Sequence, residues 1–483
     1  MRQLLLVLIF LLSVPSFAQL KAGLWAGGYG SPNPEDGEWS SLFLIVRRTE
    51  GETLFGRVPQ ADGAEFEGTI RDGRVRFNVK YNGSKLAFDG KLENGDLVGT
   101  CRREGRDQQC LLVHEGRPDN DAHNAMAGLY ETTDGDRILL YKSFHLVMEN
   151  FATGEVRALY DRGNGAFTTG PAVSIPRPIE SRIQIGDDTL TIEKDGKTLQ
   201  ATRCCTASPE PFEYTTFDGL KIRGTLHLPE GDGPFPGVLW VHGSGQARRN
   251  GAGSWPHSFT SQGMAMLAVD KRGVGESEGK YALPGGGHDN RRHMLRRAKD
   301  VREGLKALAA HEKINADHVG LTGISQAGWV IPVAAADNPL VTFNIILSGG
   351  ATPISVEGVF SRVAREDASG ARSISIEEAL KKTRAHRPRD KDFDKFFAAM
   401  QAPSLWIYGG KDRSNPSQLC IEMIEGIRDE HERDFTLKLF PNGAHSLMEA
   451  RYGGAAEYGT LAERVPGLYQ TITDWMREKG LAP

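Results

Sequence analysis

The sequence predicts an α/β protein: residues 211–483 form a mostly parallel sheet with helices on both faces, preceded by an antiparallel β-rich region over 19–210. Two observations carry this. Before residue 211 the hydrophobic period is two and turn signals recur at short spacing. After it, short apolar runs alternate with stretches of helical period.

The chain begins with a basic Met1-Arg2-Gln3, an unbroken apolar run Leu4 to Leu12, then Ser13, Pro15 and the small residues Ser16-Phe17-Ala18. This is the pattern of a signal peptide over residues 1–18. The run is far short of the ~20 residues a membrane span needs, and no cysteine follows Ala18 to carry a lipid. The mature chain is expected to start near Gln19 and to be periplasmic or secreted. Losing Arg2 and no acid takes the net charge from -4 to -5. A length of 483 residues fits two or three domains. Lys+Arg of 58 against Asp+Glu of 62, with no long like-charge block, gives nothing that points to nucleic acid or an acidic membrane surface. The expected partner is a small molecule held in a pocket.

In the β-rich region Val75, Phe77 and Val79 alternate with polar neighbours, as do Leu86 and Phe88. Asp72-Gly73, Asn82-Gly83, Asn94-Gly95, Asp134-Gly135 and Asp195-Gly196 are hairpin turn signals. Ala22-Gly23-Leu24-Trp25 is echoed by Ala127-Gly128-Leu129-Tyr130, so two β units are expected, over about 19–125 and 126–210. No catalytic set occurs here, and a scaffold is expected rather than a ligand-binding barrel. Cys101 and Cys110 flank a polar run that reads as a hairpin loop, and a bridge between them fits an oxidising compartment. Cys204 and Cys205 are adjacent and would bridge only with strain; Cys420 lies in a predicted helix. No C-x-x-C pair supports a zinc or redox site.

From residue 211, a hairpin (Thr215 to Ile222, then Gly224 to Leu228) leads into apolar runs at Gly237–Val241, Met264–Val269, His318–Thr322, Phe343–Leu347, Leu405–Tyr408 and Leu437–Phe440. Between them lie helical stretches such as Met294–Ala310, with Val301, Leu305 and Leu308 on one face. Buried strands alternating with helices make a parallel, two-sided sheet. Residues 351–402 interrupt the order with charged helical sequence (Ile374 to Arg384, Asp390 to Met400) and are a candidate lid.

Functional groups in such a sheet sit on loops at the carboxyl ends of strands. Gly323-Ile324-Ser325-Gln326-Ala327 follows the His318–Thr322 strand and approaches the pattern G-x-S-x-G of a nucleophile on a sharp strand-to-helix turn. Ala327 stands at the second glycine position. A serine needs a base and the base an orienting acid. Asp412, after Leu405–Tyr408, and His445, after Leu437–Phe440, follow in the order acid, then histidine. Alone, each reads as an ordinary loop residue; together, in order and at strand ends, they make a candidate triad with Ser325. An oxyanion hole would take the backbone N–H of Gln326 and a second one from His242-Gly243-Ser244-Gly245: Ser244, or Gly245 as the other candidate. Gly273-Val274-Gly275-Glu276-Ser277-Glu278 fails as a dinucleotide loop because Glu278 would repel a pyrophosphate. No cofactor or metal is expected.

Taken together, His242-Gly243-Ser244-Gly245, Asp270-Lys271-Arg272-Gly273-Val274-Gly275-Glu276-Ser277, Gly323 to Trp329, Tyr408-Gly409-Gly410-Lys411-Asp412 and Gly443-Ala444-His445 resemble an exported bacterial α/β-hydrolase. The resemblance is to serine carboxylesterases, and also to dienelactone hydrolases and the prolyl oligopeptidase catalytic domain. It covers residues 211–483 and implies ester hydrolysis through an acyl-enzyme. A prolyl-oligopeptidase-type peptidase is the alternative, although residues 19–210 show no blade-length repeat. Thioester or lactone hydrolysis would use the same groups. A ligand-binding protein with an inactive hydrolase part is the reading from another class.

Overall fold

The computed structural model describes residues 20–33, 35, 38–59, 64–81, 84–116, 120–142, 146–204, 208–281, 290–364, 374–388 and 393–481. The expected signal peptide, the Asn82-Gly83 turn and Cys205 lie outside these residues. By compactness the chain divides into two units, Met1–Tyr29 with Leu42–Arg117, and Gly30–Ser41 with Pro118–Pro483.

The β-rich region consists of two closed eight-stranded antiparallel barrels, with strands between Gly23 and Gly116 and between Gly128 and Cys204. The pleat sends alternate side chains inward. Val75, Phe77 and Val79 are buried, and the alternating Arg74 and Arg76 pair with Asp89 outside. Phe66, Phe77 and Phe88 stack across adjacent strands with ring centroids 4.6 and 5.0 Å apart. At Asp72-Gly73, Asn94-Gly95 and Asp195-Gly196 both residues have positive φ, the turn whose twist matches that of the flanking strands. The echo at Gly23 and Gly128 marks the first strand of each barrel, and Trp25 and Tyr130 point into the two cores. Eight strands leave an interior that side chains can fill; both are filled.

The expected Cys101–Cys110 bridge is not formed. Both thiols are free and buried in the first barrel. The register places Cys101 opposite Gln108 and Cys110 opposite Gly99, so the two are diagonal neighbours rather than a facing pair. Their sulfurs share a hydrogen bond, and burial, reinforced by Cys101, pushes the Cys110 thiol well up.

The C-terminal sheet has eight strands: β1 (Ser208–Thr215), β2 (Lys221–Leu228), β3 (Phe235–Val241), β4 (Ala265–Val269), β5 (Ile314–Ile324), β6 (Phe343–Leu347), β7 (Ser404–Gly409) and β8 (Phe435–Phe440). Their spatial order is β1-β2-β4-β3-β5-β6-β7-β8. β1, β2 and β4 pair antiparallel; every later pair is parallel. Side chains alternate between two cores. Leu239, Leu321 and Trp406 pack beneath α2 (Asn290–Ala309), α3 (Ala327–Ala335) and α7 (Ser417–His431), with α1 (Trp255–Thr260) on the other face, where Trp240, Ile345 and Ile407 lie; α8 (Leu468–Glu478) covers that face too. The candidate lid supplies α4 (Ile354–Ala364), α5 (Ile376–Arg384) and α6 (Asp394–Ala398) between β6 and β7. Of these, α4 lies outside the two helical stretches expected. Of the expected stretch Asp390 to Met400, residues 390–392 lie outside the described residues and α6 ends at Ala398; Phe393 and Phe397 are buried in the core, Phe397 stacking on Trp406 at 5.8 Å. Arg413 ties the insertion down by donating to the carbonyls of Ala364 (2.8 Å) and Ile374 (3.1 Å).

The second barrel and the C-terminal sheet share one compact unit. Val156 N–H donates to Ala462 C=O (2.7 Å) and Arg464 N–H to Gly154 C=O (2.8 Å), a strand-like seam between barrel and C-terminal segment. At its centre the fully buried Glu149 carboxylate accepts from Arg464 Nε (2.8 Å) and from the Tyr469 hydroxyl. Such a pair resists the loss of either partner, because the survivor would be a buried, uncompensated charge.

Candidate active site

Parallel register aligns the carboxyl ends of the central strands. Val241 on β3 is level with Gly323 on β5, and Ile324 with Leu347 on β6. Ser325 follows directly with φ +61°, a left-handed conformation that non-glycine residues seldom adopt. Three hydrogen bonds hold it there. Its N–H donates to Leu347 C=O (3.0 Å), and its C=O accepts from Gly328 N–H (2.9 Å) and Gly350 N–H (3.0 Å). The turn is crowded: a Cβ on Gly323 would come 2.1 Å from the Val241 carbonyl oxygen and 2.7 Å from Ala327 Cβ, and one on Gly328 2.4 Å from Gly350 N. Ala327 therefore fits because its methyl lies against Gly323, which has no side chain. The second obligatory small residue is Gly328, one place beyond the pattern.

His445 and Asp412 meet as expected from their order. Asp412, 1% exposed, comes within 2.7 Å of His445 Nδ1 through Oδ2. Its other oxygen accepts the N–H groups of Ser414 (2.7 Å) and Asn415 (2.8 Å), which fix the carboxylate in one orientation. Asn415 in turn donates to Ser348 C=O at the end of β6. Burial disfavours the His445 imidazolium, but the charge and hydrogen bond of Asp412 outweigh it, with Glu357 on α4 adding to them, so its pKa lies above the ordinary value. The His445 side chain is 18% exposed, which leaves an edge of the ring open. Its loop is anchored from the second barrel: Arg464, paired with Glu149, donates Nη1 to Ser446 C=O (2.9 Å), the residue next to His445.

The loop expected to carry the oxyanion hole lies beside Ser325. A Cβ on Gly243 would sit 3.2 Å from Ser325 Cβ. Ser244 and Gly245 follow, exposed, and Gly245 needs its freedom at φ +81°. Gln326 N–H opens α3, where backbone donors have no partner within the helix. His242 is a structural residue: its Nε2 contacts Val269 C=O (2.8 Å) and its Nδ1 accepts from Trp240 (3.1 Å). Burial pushes its pKa down to about 3.

Two residues that sequence reasoning left unread bind this loop to the elbow. Lys271 Nζ donates to the carbonyls of Gly243 (2.5 Å) and Gly245 (2.8 Å). Arg297 on α2 donates Nη2 to His242 C=O (2.7 Å) and Nη1 to Gln326 Oε1. One guanidinium thus ties the residue after Ser325 to the loop facing it. Lys271 stands inside the quoted Asp270–Ser277 stretch, so its position carried a signal. Arg297 is one of several arginines on an amphipathic helix, with nothing to mark it. Gly275 of that stretch packs on a carboxylate: Asp270 accepts from Arg249 (2.8 Å) and from Glu276 N–H (3.0 Å), and a Cβ on Gly275 would strike it.

Replacing Asp412 by Asn should bring the His445 pKa below the ordinary ~6.5, because burial would then oppose protonation with only Glu357 against it. Titration of the ring by NMR reads this directly; a value still above 6.5 would contradict the assignment of cause.

Two family descriptions match the chain: the prolyl oligopeptidase family over residues 253–463 and the FrsA-like esterases over 199–302. Esterase FrsA of Escherichia coli O1:K1 is 35% identical over 90 residues, 19% of this chain and 22% of that protein. The Klebsiella pneumoniae counterpart is 32% identical over 102 residues, 21% and 24% of the respective chains. The matches thus span less than a quarter of these relatives' length. Among solved structures, esterase Pf2001 of Pyrococcus furiosus superimposes with a TM-score of 0.38 at 15% identity, covering 56% of this chain and 89% of that one. Dienelactone hydrolase from Anabaena variabilis gives 0.36 at 18% identity, covering 56% and 98%. It is the strand order and the elbow, not these scores, that fix the fold. The C-terminal part of the chain is an α/β-hydrolase domain, similar in sequence to the FrsA-like esterases and the prolyl oligopeptidase family.

Proposed function

We propose that this protein hydrolyses carboxylic esters of small molecules through an acyl-enzyme on Ser325, with residues 1–18 serving as its export signal. The observation that carries the reading is the pairing of His445 with buried Asp412 at 2.7 Å, in a domain whose strained elbow presents Ser325. Ser325 Oγ attacks the acyl carbonyl carbon while His445 Nε2 takes its proton. Asp412, bound to Nδ1, holds the other tautomer out and stabilises the imidazolium as it forms. The same proton then goes to the departing alkoxide. Water attacks the acyl-enzyme by the reverse sequence and releases the acid. The oxygen that becomes negative is received by the N–H of Gln326 and that of Ser244, or of Gly245. Lys271 and Arg297 touch no reacting atom in this scheme; they position the donors.

A peptidase reading is favoured by one observation, the match of residues 253–463 to the prolyl oligopeptidase family. Against it, the region before the hydrolase domain is two closed barrels with filled interiors, not a propeller of repeated blades. A graded series of p-nitrophenyl esters assayed beside proline-containing peptides and thioesters separates the readings. Ester turnover should dominate; cleavage of the peptides alone would replace the proposal by the peptidase.

Ser325→Ala should lower kcat by roughly 10⁶-fold if the three residues act as a unit, and an enzyme that keeps most of its rate would refute the nucleophile. Ala327→Gly removes a methyl that already has room against Gly323. Its turnover should stay within about tenfold of the parent, roughly 1.4 kcal/mol in barrier; a larger change in steady-state kcat would mean the methyl itself shapes the turn.

A further inference from the structure

Lys271 and Arg297 also line a cavity of about 50 Å³, together with His242, Tyr281, His293 and Arg296. Its charge balance is unusual for a buried site. The two acids in its wall are committed elsewhere, Asp270 to Arg249 (2.8 Å) and Asp300 to Arg272 (2.5 Å). Among the described residues, none places a carboxylate within 4 Å of Lys271, Arg296 or Arg297. The carbonyls that Lys271 and Arg297 hold satisfy hydrogen bonds but bring no net charge. Burial and the nearby Arg297 accordingly drive Lys271 down to about 6. Independently, His293 is 7% exposed, and neither of its ring nitrogens has a hydrogen-bond partner. A buried imidazole normally finds partners for both.

We propose that this cavity is a binding site for a small oxyanion, a carboxylate or inorganic phosphate, taken up by His293, Arg296 and Lys271. The volume admits a few water molecules or a group of acetate's size and excludes a nucleotide. An anion there supplies a counter-charge to Lys271, whose hydrogen bonds go to the Gly243 and Gly245 carbonyls, beside Arg297, which holds the His242 carbonyl and the Gln326 amide oxygen. Its occupant is therefore linked to the loop beside Ser325. The site itself needs no hydrolytic role for Ser325, so the binding test stands apart from the activity assays.

The test is thermal unfolding of the full-length protein with sodium acetate or sodium phosphate at constant ionic strength, made up with sodium chloride, and with intrinsic tryptophan fluorescence, to which Trp240 contributes, as a second readout. Trp240 lines the same cavity. The expected result is a saturable rise in Tm, about 3 °C or more at full occupancy, with a saturable change in tryptophan emission. A rise with acetate alone identifies a carboxylate, one with phosphate alone a phosphate, and one with both an unselective oxyanion site. Both effects should be lost in His293→Phe and in the more exposed Arg296→Gln, which keeps the proposal testable should the first variant fold poorly. No saturable shift with either anion, or an equal shift in a folded variant, would overturn it.

Discussion

Everything at the candidate site depends on one residue being held where its backbone would not go by itself. Ser325 at φ +61° carries a cost on the order of 1–3 kcal/mol. That conformation persists because Leu347, Gly328 and Gly350 hold both of its peptide groups, and because no neighbour on the turn has bulk to spare. The Ser325 side chain starts beside the loop of Gly243, where a Cβ on that glycine would come 3.2 Å from Ser325 Cβ. A relaxed serine at the same position in sequence would be one more strand-end hydroxyl. The cramped packing of β3, β5 and α3 is thus the constraint from which the elbow, and any chemistry on it, follows.

The other components are held by a chain of polar contacts that runs well beyond the strand ends. Asp412 is oriented by two backbone N–H groups, and Asn415 fastens that loop to β6. The segment after His445 is docked on the second barrel, where Arg464 reaches both Ser446 and the buried Glu149. This gives that barrel a physical part in the site: it braces the histidine loop. On the opposite flank, Lys271 grips the Gly243 and Gly245 carbonyls and Arg297 the His242 carbonyl. Each support is a buried polar or charged group, so each loss would leave an unsatisfied partner behind it.

Much of this was legible in the sequence, and the reasons differ by residue. Buried strands such as Phe343–Leu347 read directly because a sheet covered on both faces demands unbroken apolar runs. Ser325, Asp412 and His445 stand out in the sequence by their order and strand-end positions, which the fold dictates. The filled barrels were foreshadowed by period-two alternation, but closure depends on pairing the first strand with the last, which no local pattern encodes. The Cys101–Cys110 bridge failed for a related reason: proximity along a hairpin does not fix which residues face each other, and the register sets Cys110 opposite Gly99. Glu149 and Arg464 are separated by 315 residues, and Arg297 is hidden among other arginines. Their roles exist only once the chain is folded.

The account turns on Ser325 being an activated nucleophile, and covalent capture tests that without any assumption about substrate. The folded protein, treated with a fluorophosphonate and analysed by intact-mass and peptide mass spectrometry, should take up one label per chain, on Ser325. The label should vanish in Ser325→Ala and on prior unfolding. A folded protein that stays unlabelled, or carries its label on another serine, would contradict the assignment.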